Sequence, residues 1–119
     1  QGIGITTKAI KQATLTNNTS SATTINEYPA LAGKGLIIKY KIVRGTKDRT
    51  GELVVSASTN GVQYDDTFTE SGADVGVTLS AEMANQDSTG GNETVLLRHI
   101  TTDMSSTNAT LEYQTTIIV

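Results

Sequence analysis

The chain has 119 residues, a formal net charge of −3, four Tyr, one Phe, no Trp and no Cys. Disulfides and thiolate metal sites are excluded, and so few large side chains allow one modest core in one domain. No hydrophobic run approaches the ~20 residues of a membrane helix, and an acidic chain without aromatic-interleaved basic patches speaks against nucleic acid.

Threonine is heavily used, Pro29 is the sole proline, and good helix formers never accumulate in one run. That composition favours strands over helices. Charge is unevenly spread: residues 1–49 hold eight basic side chains against two acidic, and residues 50–119 hold one against ten. Either basic and acidic strands are neighbours in one sandwich, or the halves complement each other between subunits.

In chain order, Gly2-Ile3-Gly4-Ile5 reads as a flexible lead-in, and the start at Gln1 without a signal-peptide pattern predicts a piece of something longer. Residues 8–16 and 22–28 read as weak strands around the polar turn at 17–21. Their alternation is poor, so residues 1–35 are expected to supply edge strands, or strands that pair with a neighbouring subunit. Pro29 and Gly33-Lys34-Gly35 then break the chain.

The clearest patterning runs from Leu36 to Phe68. Leu36, Ile38, Tyr40 and Ile42 alternate with Lys39 and Lys41, and Leu53, Val55 and Ala57 alternate with Glu52, Ser56 and Ser58. With residues 44–51 as the connection, Ile42 is expected opposite Leu53, Tyr40 opposite Val55 and Ile38 opposite Ala57. Gly45 and Gly51 there read as turn residues. Asn60-Gly61 reads as a two-residue type I′ turn pairing Ala57 with Tyr64 and Leu53 with Phe68. Asp66 then falls on the core face, and a bulge at Asp65-Asp66 is expected to turn it outward.

Residues 69–74 read as a loop and residues 75–81 as a strand. Residues 85–92, with Gly90-Gly91, form a long polar loop. Residues 94–100 are apolar on both faces, Val95, Leu97 and His99 against Leu96 and Ile100, so both faces are expected to be covered. A turn at 103–108 leads to a last strand with Ala109, Leu111, Tyr113, Thr115 and Ile117 inward. The expected fold is all-β, an antiparallel β-sandwich or jelly roll of seven or eight strands, with 36–119 as its core.

Little here points to catalysis. His99 is the only histidine and no G-x-S-x-G elbow accompanies it, so it reads as structural. Asp65, Asp66, Glu70 and Asp74 form the densest acidic group. Their spacing matches no EF-hand loop, and the aromatic platforms of sugar-cleaving sites are scarce. They read as a solvated loop, and no cofactor or metal is expected. Asn18, Asn92 and Asn108 open N-x-[ST] patterns, which a Thr-rich chain produces readily by chance.

The series I-x-Y-x-I-x-R-G-T-x-x-R-T-G-x-L-x-V from Ile38 to Val55, with G-V-x-Y-D-D-x-F-T-E from Gly61 and D-V-G-V-T-L-S from Asp74, resembles the C-terminal regions of tail-fibre and tail-spike proteins of tailed bacteriophages and prophages. The similarity covers 36–119. It implies a non-enzymatic tip or knob domain, commonly a homotrimer, displayed on the virion among other virion proteins and used to attach to a host receptor such as a glycan. The family supplies no catalytic residues. Receptor contacts are expected in loops, at Glu70, Asp74, Asn85, Asp87, Asn92, Asp103 and Asn108. A capsid decoration or head-fibre protein, and a carbohydrate-binding module of a larger enzyme, are the alternative readings.

Overall fold

The computed structural model describes residues 4–29, 33–58, 61–84 and 93–119. Nine strands and no helix occur among them: β1 (Ile5–Thr7), β2 (Lys11–Leu15), β3 (Thr23–Pro29), β4 (Gly35–Arg44), β5 (Lys47–Ser58), β6 (Gly61–Ser71), β7 (Val77–Ala84), β8 (Thr94–Thr101) and β9 (Ala109–Ile118). All pairings are antiparallel, in two sheets that form a sandwich. The larger runs β9–β4–β5–β6, with β1 and β2 pairing successive parts of the free side of β9; the smaller runs β3–β8–β7.

The period-2 pattern decides the faces. Ile38, Ile42, Leu53 and Leu111 are buried from the larger sheet, and Val77, Leu79, Val95 and Leu97 oppose them from the smaller. A fully buried aliphatic side chain contributes about 1.5–3 kcal/mol relative to exposure. The first segment belongs to the same core, since Leu15 and Tyr28 are both buried in it. Ile5, expected in the lead-in, instead pairs with Ile118.

Both hairpin registers differ from expectation. Lys47–Thr50 extend β5, so the loop shrinks to Gly45-Thr46, and Ile38 faces Leu53, Leu36 faces Val55 and Ile42 faces Arg49. Gly45 carries a φ of 64°, the left-handed conformation that the first position of a type II′ hairpin turn requires. The shift is an even number of residues, so the lysines still point outward. In the second hairpin Ser58 pairs with Gly61, bringing Ala57 opposite Val62, Leu53 opposite Asp66 and Gly51 opposite Phe68. The Asn60-Gly61 turn is not used as expected, because Gly61 is already in the ladder; residues 59–60 lie outside the described residues.

No bulge interrupts β5 and β6, and Asp66 points inward. It is tolerated because the Tyr40 hydroxyl donates to it at 2.7 Å and Arg49 lies 4.0 Å away. Gly51 is no turn residue either: it sits mid-strand between Tyr40 and Phe68, and a Cβ there would lie 2.6 Å from the Phe68 Cβ and 2.8 Å from the Tyr40 hydroxyl. Residues 69–71 belong to β6 and not to a loop.

The uneven charge meets within one chain, since Lys39 pairs with Glu52, Lys41 with Glu112 and Arg49 with Glu70. On β8, Leu96 is half-buried and Ile100 is 36% exposed on the outer face of the smaller sheet, so no other part of the described chain covers that face fully.

Arg44 sits almost wholly buried where three loops converge. Its guanidinium donates to the carbonyls of Thr107 (2.9 Å), Val75 (2.9 Å), Gly76 (3.3 Å) and Thr102 (2.7 Å) and to Asn17 Oδ1 (2.5 Å). A buried charge is tolerable only when its donors are satisfied, and these carbonyl dipoles provide that in place of a carboxylate. The side chain therefore fixes the relative positions of the 17–22, 72–76 and 102–108 connections.

Candidate functional site

The sandwich is open on the side where β2 and β9 face β3. The poor alternation of residues 22–28 has its cause there. The register slips between Thr24 and Asn26, leaving Ile25 as an extra residue. Such a bulge re-aims the side chains that follow it, and it turns Asn26 and Tyr28 toward the larger sheet. Asn26 Nδ2 donates to the Tyr113 hydroxyl at 3.1 Å, and the Tyr28 hydroxyl shares a 2.7 Å hydrogen bond with Thr115 Oγ1. Both bonds join the two sheets.

Above these groups lies a cavity of about 290 Å3, with Lys8, Lys11 and Glu27 among its lining residues and Ala9, Pro29 and Ile117 as apolar wall. Lys11 pairs with Tyr113 and so shares its face of the sheet. Burial raises the phenol pKa of Tyr28 and of Tyr113, with the Thr115 and Asn26 hydrogen bonds acting against it. Both hydroxyls are therefore protonated donors at neutral pH. A larger, shallower hollow of about 530 Å3 crosses the larger sheet at Ile37, Val54 and Ile118, but it offers mostly apolar and backbone groups with which to orient a ligand.

The acidic group of the sequence reading is organised around a cation. Arg49, 4% exposed, donates to Glu70 Oε2 at 2.9 and 3.1 Å, lies 3.9 Å from Asp74 Oδ1 and stacks 3.9 Å from the centre of the Phe68 ring. Glu70 also accepts from the Val75 amide at 3.1 Å. Burial raises the Asp66 pKa, with Tyr40 and Arg49 acting against it. Among the described residues no group of three or more His, Asp or Glu side chains is arranged to hold a metal ion.

The residues expected to contact a receptor are not gathered into one place. Glu70 is a strand residue held by Arg49. Asp74, Asp103 and Asn108 lie at the Arg44 end, where Asp74 accepts from the Gly76 amide at 2.7 Å, Asp103 from Asn17 Nδ2 at 2.9 Å and Asn108 from the Asn17 amide at 2.9 Å. Asn85, Asp87 and Asn92 lie outside the described residues. The cavity residues Lys8, Lys11, Asn26 and Tyr28 escaped the sequence reading. Tyr113 and Thr115 were legible only as inward positions of the last strand.

His99 is 5% exposed on the inner face, and neither ring nitrogen has a well-formed hydrogen bond. Burial lowers its pKa, partly offset by the backbone of Thr23 on the paired strand.

No family model, no curated protein and no solved structure matches the chain.

Proposed function

We propose that the chain is a non-enzymatic virion surface module, the distal domain of a bacteriophage tail fibre or spike that attaches the particle to its host. The observation that carries this reading is the open-sided cavity, where hydroxyl and amide groups fixed by hydrogen bonds between the sheets lie beside Lys8 and Lys11. Such a site binds. It has one carboxylate, Glu27, in its lining, whereas glycoside hydrolysis needs two flanking the scissile bond. The resemblance of residues 36–119 to fibre tips supports the same reading.

Three copies are part of the proposal. β6 has an unpaired outer edge among the described residues, and its Tyr64 and Phe68 are 47% and 43% exposed although both lie on its core-facing side. Together with Ile100, these groups are surface that association would cover. Fluorescently labelled domain, incubated with a panel of bacterial strains, should stain a subset of them, and light scattering should give three times 12.5 kDa. A folded domain that stains no strain would remove attachment; a stable monomer that stains would remove only the trimer.

A further inference from the structure

We infer that the cavity between β2–β9 and β3 binds the carboxylate-bearing sugar residue of an acidic cell-surface polysaccharide. The inference rests on the attachment reading for the ligand's source, but the chemistry is read from the cavity itself. At about 290 Å3 it lies at the small end of the roughly 300–1,000 Å3 typical of ligand sites, which suits a single sugar ring.

Its polar groups are mainly donors. The Tyr113 hydroxyl accepts from Asn26, and its own proton has no acceptor among the described residues. Tyr28 and Thr115 share one hydrogen bond in which either can donate, so one hydroxyl hydrogen of that pair also remains for a ligand. The Lys8 and Lys11 ammonium groups add further donors and positive charge. The charged residues lining the space are these two lysines and Glu27, and Glu27, between the inward Asn26 and Tyr28, points to the outer face, which leaves the cavity net positive. That set matches a ligand rich in acceptor oxygens, carrying one negative charge and a few hydroxyl groups. Ile117, Ala9 and Pro29 supply apolar wall for the C–H face of a ring. Phosphate can use the same two lysines but has no C–H face to set against the apolar wall of Ile117, Ala9 and Pro29.

The intact chain should be titrated with D-glucuronic acid, D-glucose and inorganic phosphate in parallel, following amide NMR shifts. Saturable shifts at Asn26, Tyr113 and Thr115 are expected with glucuronic acid and not with glucose. Lys11→Glu, on an exposed side chain, should weaken binding roughly tenfold or more, as loss of a charged contact does, without changing the melting temperature. Tyr113→Phe should weaken it at unchanged charge. Absence of saturable shifts with glucuronic acid, equal binding of glucose, or tighter binding of phosphate at the same amides would each overturn the assignment. A domain that stains cells yet ignores glucuronic acid keeps attachment and loses this site. One that binds glucuronic acid yet stains no cell does the reverse.

Discussion

Asn26 and Tyr113 sit on different sheets, yet the Asn26 amide reaches the Tyr113 hydroxyl at 3.1 Å. The contact exists because one extra residue, Ile25, interrupts the pairing of β3 with β8 and turns Asn26 from the solvent face to the core face. A single insertion in an edge strand thus produces both a bond between the sheets and the polar floor of the cavity.

The buried guanidinium of Arg44 should dominate stability at the loop end. Arg44→Met leaves the carbonyls of Val75 and Thr107 without their guanidinium donor, and is expected to cost about 3 kcal/mol or more, the range for breaking a buried charged network. Arg44→Lys should recover only part, because an ammonium cannot span the same fork. Urea unfolding midpoints measure both variants.

Gly51 serves close approach and not a turn. Gly51→Ala would push a methyl against the Phe68 Cβ and the Thr67 carbonyl oxygen, and overpacking of this kind costs about 1–3 kcal/mol. Denaturant unfolding should show that loss, whereas an alanine tolerated without loss would mean that β5 and β6 separate easily.

Glu70 and Asp74 look alike in sequence but should behave differently. Glu70→Ala strips the nearly buried Arg49 of its closest partner and should destabilise by about 2 kcal/mol, as hydrogen bonds to charged groups do. Asp74, whose side chain is 81% exposed, should cost under about 1 kcal/mol when replaced by alanine. Thermal melts of the two variants separate folding roles from any effect on attachment.

His99 should make the fold acid-sensitive. Its folded pKa lies below the ordinary 6.5, so below that pH the unfolded chain takes up a proton that the folded chain refuses. The stability is complete above about 6.5 and is lost as pH falls toward the folded value, with a slope of at most about 1.4 kcal/mol per pH unit from one group. Asp66 acts in the opposite sense: its raised folded pKa means stability is lost as pH rises through the carboxylate range. Unfolding free energies between pH 7 and 5 should fall for the parent chain and flatten for His99→Leu.

Much of the fold was legible because alternation survives an even register shift. Leu36 to Ile42 and Leu53 to Ala57 show the same buried faces whether the connecting loop is long or short. The register itself was hidden by Lys47-Asp48-Arg49-Thr50, a polar run that reads as loop. It pairs as strand because Glu70, more than twenty residues on, neutralises the inward Arg49. The cavity was illegible for a related reason. Lys11 faces inward only through its pairing with Tyr113, and Asn26 only through the bulge, and neither is a property of local spacing.

The most direct measurement of the attachment reading is immunogold electron microscopy of the particles that carry this chain, using antibody raised against the purified domain. The account predicts gold at the distal ends of tail fibres or spikes. Gold distributed over the capsid, or no gold on particles shown by mass spectrometry to contain the chain, would contradict it.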